Sequence, residues 1–346
     1  MLRVAMYLPS LFDFKRGRAR FILNVCKYLS KYCRIYVLAG KKGRIKGARV
    51  FSYPYLKRTK IDAPYEQLYN IESATFLLNV AKHFETHDYD IVHVHFPYDV
   101  LVRTLTNAKL LLHCHGWYLD PWKWLLKRVR ADAYASCSKF TASFLRKIVK
   151  RDVHVIYAGV DSKQFKPKKI ERKKVILYLG ALSKEKRVDL LVKAFKYVER
   201  RKKSWELWIG GRGNEEKNLR ELVKKLRLRR VRFLGYVPER DLVKIYSSAS
   251  VFVLPSPAES FGIVVLEAMA CETPVIVSDR GGPKEIITPS CGLSFRANSV
   301  KDLAKHLLQL DELDLHSMGK AARRRALSFT WEKTAKSLYS LYRSLV

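Results

Sequence analysis

Short β-branched runs alternate with longer stretches of helical period along nearly the whole chain, and no other feature constrains the fold as tightly. In the first half, strands are expected at residues 4–8, 35–38, 91–95, 109–114, 133–137 and 153–157, with helical spacing of apolar residues over 21–29 and 65–84. In the second half, strands are expected at 175–179, 205–209, 231–234, 251–254 and 274–277, separated by helical stretches at 189–200, 214–226 and 262–270. A strand that reaches its neighbour only through a helix runs parallel to it. The pattern therefore predicts an α/β chain whose parallel sheets are covered by helices on both faces.

The alternation pauses between residues 160 and 174, where Asp161-Ser162-Lys163-Gln164-Phe165-Lys166-Pro167-Lys168-Lys169 is polar, charged and holds a proline. The expectation is a Rossmann-like acceptor-side domain over 1–163, a linker over 164–174 and a Rossmann-like donor-side domain over 175–329. A C-terminal helix over 330–346 is expected to pack back toward the first domain. Ligands of such sheets bind beyond the C-terminal ends of the strands, so two facing domains place a cleft between them.

Composition limits the uses of such a chain. With 346 residues, 48% of them hydrophobic, there is material for two cores. No run approaches the roughly 18–20 apolar residues of a membrane-spanning helix, and Met1-Leu2-Arg3-Val4-Ala5-Met6-Tyr7 reads as a buried strand rather than a signal peptide. Cys26, Cys33, Cys114, Cys137, Cys271 and Cys291 show no CxxC pair and no ligand spacing, which points to reduced thiols in the cytoplasm and away from a zinc site. Against 32 Asp and Glu stand 67 Lys and Arg, a net charge of +35 that attracts polyanions. Nucleic acid, an anionic membrane surface and a phosphorylated substrate all qualify on charge alone.

The densest segment is Pro257-Ala258-Glu259-Ser260-Phe261-Gly262-Ile263-Val264-Val265-Leu266-Glu267-Ala268-Met269-Ala270. An apolar strand runs into a proline-bounded loop and then an apolar helix, so Ser260-Phe261-Gly262 would stand at a helix N-terminus. Unpaired N–H groups and the positive dipole end attract a phosphate there. Glu259 precedes the helix and Glu267 lies inside it, which would set the carboxylates roughly 8–10 Å apart along one side. The plainer alternative is one glutamate favouring the helix dipole and one solvated. It accounts poorly for Glu267 inside an otherwise apolar run, where a carboxylate needs a partner.

Glu259 and Glu267, with seven residues between them, resemble the E-x7-E signature of retaining GT-B glycosyltransferases, most closely glycosyltransferase family 4. Four further motifs follow in family order: Val155-Ile156-Tyr157-Ala158-Gly159-Val160-Asp161, Leu179-Gly180-Ala181-Leu182-Ser183-Lys184-Glu185-Lys186, Ile209-Gly210-Gly211-Arg212-Gly213 and Arg280-Gly281-Gly282-Pro283-Lys284-Glu285. The resemblance implies the GT-B fold, two facing Rossmann-like domains with an interdomain cleft. It further implies that Glu267 binds the ribose and Glu259 the hydroxyls of the transferred sugar. Ser260, Phe261 and Gly262 would hold sugar and diphosphate through backbone groups, with Gly17, Gly180, Gly211, Arg212 and Val237 also lining the donor. Lys186 would neutralise the departing diphosphate in place of a divalent metal; no cofactor and no metal are expected. The sequence departs from the family at Ala181, where an arginine usually pairs with the diphosphate, at Arg187 and at Arg212. Lys184, Arg187 or Arg212 is left to supply that charge.

The acceptor side carries fewer signals. Gly17, in Lys15-Arg16-Gly17-Arg18, follows the first strand where the family has a glycine loop. His115, in His113-Cys114-His115-Gly116, resembles the family's active-site histidine and completes a catalytic set with Glu259 and Lys186; Val92-His93-Val94-His95 resembles the strand before it. Alternation puts His93 with His95 and His113 with His115 on shared faces. With no carboxylate or cysteine to complete a tetrahedral set, active-site lining ranks above a metal. Trp117-Tyr118-Leu119-Asp120-Pro121-Trp122-Lys123-Trp124-Leu125-Leu126-Lys127-Arg128 suits a helix capped by Asp120 and opened by Pro121. Such a helix fits either a membrane interface or a packed surface element.

The function expected from these features is retaining, metal-independent transfer of a hexose from a GDP-mannose or UDP-glucose type donor to a glycan or lipid-linked acceptor. An anionic membrane surface is a further expected partner, in a cytoplasmic protein peripheral to the membrane. Two alternatives stand beside it: a catalytically weakened nucleotide-sugar binder, which Ala181 favours, and a nucleic-acid-binding protein on the same scaffold. No nucleic-acid motif supports the last, so no nucleic acid is expected.

Overall fold

The structure, a computed structural model, describes residues 1–12, 17–57, 65–116 and 122–346, leaving the side chains of 65–69 aside. Lys15, Arg16 and the segment 117–121, with the expected Asp120 cap and Pro121 start, lie outside the described residues. The chain divides into two units, Met1–Ala158 with Trp331–Val346, and Gly159–Thr330.

Unit 1 is built from β1 (Arg3–Tyr7), α1 (Gly17–Leu29), β2 (Arg34–Ala39), β3 (Ala48–Ser52), α2 (Tyr65–Thr86), β4 (Ile91–Val94), β5 (Lys109–Cys114), α3 (Lys123–Arg128), β6 (Ala133–Ser136), α4 (Lys139–Val149) and β7 (His154–Val155). The strands form one sheet in the order β3-β2-β1-β4-β5-β6-β7, all pairs parallel. Val4, Ala5, Met6 and Tyr7 are all fully buried, as a strand covered on both faces requires. One face carries Tyr7, Val92, Val94, Leu110 and Leu112 against Phe76 and Val80 of α2.

Unit 2 begins before the expected linker ends. It contains β8 (Lys173–Leu179), α5 (Val188–Arg201), β9 (Glu206–Gly210), α6 (Glu216–Lys225), β10 (Val231–Gly235), α7 (Glu239–Ser248), β11 (Ala249–Leu254), α8 (Ile263–Ala270), β12 (Val275–Ser278), α9 (Pro283–Ile286), β13 (Gly292–Phe295), α10 (Val300–Leu308) and α11 (Leu315–Ala326). Its sheet runs β10-β9-β8-β11-β12-β13, again parallel throughout. Residues 164–174, polar as they are, belong to this unit: Phe165 is buried against Tyr246, and Val160 N–H donates to Phe329 O at 3.0 Å. The boundary accordingly falls at 158/159 rather than at 163.

Helix α12 (Trp331–Arg343) returns to unit 1. It lies against α1, stacking Tyr339 on Tyr32 at 5.2 Å, and Thr334 Oγ1 donates to Tyr157 O at 2.8 Å. It buries Trp331, Leu338 and Tyr342, which places α1 and α12 together over the sheet face opposite α2. No helix among the described residues is long and apolar enough to cross a membrane.

Candidate active site

In unit 2 the strand order reverses direction between β8 and β11, which leaves a crevice beyond their C-terminal ends. The loops flanking it are those singled out by the sequence motifs. After β8 the chain passes Gly180, Ala181 and Leu182 into a single 3-10 turn, Lys184–Lys186. After β9 come Gly210, Gly211 and Arg212, and after β10 comes Val237.

Backbone contact ties these loops together. Gly180 N–H donates to Gly210 O at 3.0 Å and Leu182 N–H to Arg212 O at 3.0 Å. Gly211 sits at φ +135, and a Cβ on it would stand 1.8 Å from Gly180 O, so only glycine lets the two loops meet. Val237 adjoins them, its Cγ2 lying 3.1 Å from where a Cβ on Gly210 would be.

Across the switch point, the loop after β11 carries Glu259, Ser260, Phe261 and Gly262. Gly262 caps α8 in the left-handed region (φ +87), and no side chain caps the helix there. Val265 N–H donates to Gly262 O at 2.9 Å, while the amides before it precede the first intrahelical acceptor, and the dipole's positive end faces the loop. Gly282 N–H, from the glycine turn before α9, donates to Glu259 O at 2.8 Å and holds this loop. Lys186 Nζ reaches over from the β8 loop to Glu259 Oε2, 2.5 Å away, with the side chains 24% and 18% exposed. The two residues expected to serve diphosphate and sugar are therefore in contact with each other.

Glu267 has a different setting. It lies within α8 at 1% exposure and accepts a hydrogen bond from Tyr246 Oη of α7 at 3.1 Å. A tyrosine 21 residues earlier is thus one partner of the kind an acidic residue in an apolar helix requires. At the far end of α8, Arg172 donates to the carbonyls of Cys271 (3.0 Å), Glu272 (2.7 Å) and Ala249 (2.7 Å), and Arg323 donates to Ala270 O. Neither arginine carries a sequence signal, since both act mainly through backbone carbonyls far along the chain.

Of the cations proposed to replace the missing arginine, Arg187 is engaged by Asp189 and Asn298, at 3.0 and 2.6 Å. Lys184 and Arg212 are exposed, Arg212 lying over the Tyr236 ring at 5.9 Å. Ala181 is exposed too, and its carbonyl accepts from Tyr178 Oη at 2.7 Å, which pins the β8 loop.

In unit 1, Gly17 opens α1, exposed and with no atom of the described residues within 4 Å of where a Cβ would stand. His115 follows β5; its Nε2 lies 3.1 Å from Nδ1 of His95, and the Phe21 ring stands edge-on at 4.9 Å. Burial first, and then the neighbouring imidazoles, hold His95 and His115 well below the ordinary histidine range, and burial pushes His113 down to about 3. Trp122 and Trp124 part company: Trp122 is buried and donates to Asn70 Oδ1 at 2.7 Å, whereas Trp124 is 54% exposed with Arg128 over its ring.

A family model described as glycosyl transferases group 1 matches residues 160–325, and one described as glycosyltransferase family 4 matches residues 16–164. A D-inositol 3-phosphate glycosyltransferase of Corynebacterium jeikeium is 35% identical over 185 residues, covering 50% of this chain and 44% of that protein. A GDP-mannose-dependent monoacylated alpha-(1-6)-phosphatidylinositol monomannoside mannosyltransferase of Corynebacterium glutamicum is 32% identical over 210 residues, 54% of this chain and 55% of its own. The chain spans about half the length of these curated relatives. Among solved structures, sucrose-phosphate synthase from Thermosynechococcus elongatus matches with a TM-score of 0.88 at 22% identity, over 100% of this chain and 99% of that one, a likeness of fold.

Proposed function

The chain belongs to the group 1 glycosyltransferases of family 4, with their GT-B fold, and on that footing we propose that it moves a hexose from a nucleotide sugar to a hydroxyl acceptor with retention of configuration. The observation that carries this reading is the Lys186–Glu259 pair at the switch point, beside the uncapped N-terminus of α8. A diphosphate entering there draws Lys186 away from Glu259 and accepts from the amides of α8. Glu259, released, accepts hydrogen bonds from hydroxyls of the sugar. As the glycosidic bond breaks, negative charge grows on the leaving diphosphate, and a fixed cation with oriented N–H groups stabilises that charge without a divalent metal. The acceptor hydroxyl attacks the face from which the diphosphate departs, and the leaving phosphate takes its proton.

A donor of the GDP-mannose or UDP-glucose type is proposed, the former supported by the mannosyltransferase relative. An anionic acceptor, phosphorylated or lipid-linked, suits the charge of +35. The test is a screen of nucleotide sugars for binding and hydrolysis, run with and without EDTA. Turnover is expected to persist in EDTA and to gain nothing from Mg²⁺ or Mn²⁺. Loss in EDTA restored by Mg²⁺ would overturn the metal-free chemistry, and binding without turnover of any donor would favour a nucleotide-sugar binder.

Glu267 is proposed to hold the ribose, exchanging its bond from Tyr246 for ribose hydroxyls. Glu267→Gln keeps an acceptor for Tyr246 while removing the charge, so it is expected to weaken nucleoside diphosphate binding about tenfold with the melting temperature nearly unchanged. Calorimetric titration decides; equal affinity removes Glu267 from the site.

The exposed Trp124, with Lys123, Lys127 and Arg128 on the same short helix, is proposed as a contact with an anionic bilayer. Vesicles with anionic lipid are expected to bind and neutral ones not, with binding reduced severalfold in Trp124→Ala. Tighter binding to an oligonucleotide, displacing the vesicles at physiological salt, would sink this surface assignment.

A further inference from the structure

We infer that His93, His95 and His113 form a binding site for a transition metal ion of the zinc class, which locks α12 onto the sheet of unit 1. Parallel pairing sets His93 beside Leu111 and Val94 beside Leu112, so His95, one residue past β4, falls next to His113 on the same face. The ring centroids of His93 lie 4.2 Å from His95 and 5.5 Å from His113. One nitrogen from each of the three rings lies within 4.8 Å of the others, and the residues are no more than 1% exposed. A tetrahedral zinc site, with Zn–N of about 2.0–2.1 Å, holds its nitrogens roughly 3.3 Å apart. Binding would draw the nitrogens together by up to roughly 1.5 Å.

Hydrogen bonds select the ligand atoms. His93 Nδ1 lies 2.7 Å from Tyr342 Oη, and His95 Nδ1 lies 3.1 Å from Nε2 of His115. With the proton on each Nδ1, donated to those partners, each Nε2 presents its lone pair. Among the described residues these Nε2 atoms, and both nitrogens of His113, have no hydrogen-bond partner. A buried donor or acceptor left unpaired costs its full desolvation, whereas an apolar residue of similar shape costs nothing at the same place. Four such nitrogens in one cluster represent a penalty that a single ion removes. Metal-bound histidines also pair their second nitrogen with an outer group that fixes the tautomer, the role Tyr342 and His115 would fill here.

The ligand set names the class of ion. Neutral imidazoles suit zinc, copper or nickel, while magnesium and calcium take oxygen ligands. A water enclosed with the ion would take the fourth position; Phe21, edge-on to His113 at 4.9 Å, and the burial of the rings shield the ion from substrate, so the role is structural. Since Tyr342 sits on α12, occupancy would tie that helix to β4 and β5.

The test uses the full chain, unfolded, stripped of metal and refolded with Zn²⁺, Co²⁺ or Mg²⁺, so that burial does not bar entry. One equivalent of Co²⁺ is expected to bind with the intense visible bands of a tetrahedral site, and Zn²⁺ to raise the melting temperature, with Mg²⁺ inert. His93→Leu with His113→Leu should abolish both signals while the metal-free variant melts no lower than metal-free wild type. Tyr342→Phe should weaken Zn²⁺ about ten- to a hundredfold, and it decides the matter if the double variant does not fold. Absence of the Co²⁺ bands in refolded wild type, or unchanged Zn²⁺ affinity in these variants, overturns the site.

Discussion

Lys186→Ala is expected to lower sugar transfer about a hundred- to a thousandfold while leaving the fold intact, the scale found when one preorganised group facing a developing oxyanion is removed. In the ligand-free protein Lys186 pairs with Glu259, through a part-exposed contact of a kind that adds little to stability. In the proposed reaction its use lies in the exchange of partners. Glu259 carries one negative charge, and a departing nucleoside diphosphate carries more, concentrated on the oxygens beside the breaking bond. The attraction therefore grows along the reaction, which lowers the barrier rather than only the binding energy. Most of the loss should appear in kcat, with a smaller rise in KM, and Lys186→Arg should recover part of it. A loss under tenfold, in a variant with wild-type melting, would show that the diphosphate is neutralised by another cation, Lys184 or Arg212 being the exposed ones.

Arg172→Met is expected to destabilise the protein by about 2–4 kcal/mol, measured by urea unfolding. Arg172 donates to three carbonyls and to Thr273 Oγ1, two of those carbonyls following the C-terminus of α8. Methionine fills much of the same volume and leaves these acceptors buried with no donor. It also removes a cation from the negative end of the helix dipole. Because α8 presents its opposite end to the proposed donor site, nucleotide affinity in the folded fraction should change far less than stability does. A loss below 1 kcal/mol would mean that water reaches these carbonyls and that Arg172 is dispensable.

The motifs that were legible along the chain are those whose chemistry is local. Gly211 and Gly262 announce themselves because a backbone approach and a left-handed cap exclude side chains, and each lies in a run of neighbours that share the task. Glu267 was marked by its contrast with the apolar residues around it, yet nothing nearby names Tyr246 as its partner. Strands β3 and β13 were not foreseen. The first is a partly exposed edge strand of five residues with weak alternation, and the second is a four-residue edge strand that opens on glycine. Trp122 and Trp124, identical in type and two positions apart, were separated only by the turn of chain that buries one ring and exposes the other.

Periodicity and turn chemistry by themselves determined two parallel α/β sheets, the glycine loops at their strand ends and the order of the family motifs, because each depends on residues within one turn or one strand of each other. Tertiary structure alone decided which side chains meet. Lys186 finds Glu259 across 73 positions, and His93 finds Tyr342 across 249. It also assigned residues 164–174 to unit 2 and α12 to unit 1, and brought three histidines from two strands into one dry cluster. Such pairings follow from strand order and register, which bring distant segments side by side, and a hydrogen bond between them leaves no period in the sequence to be read.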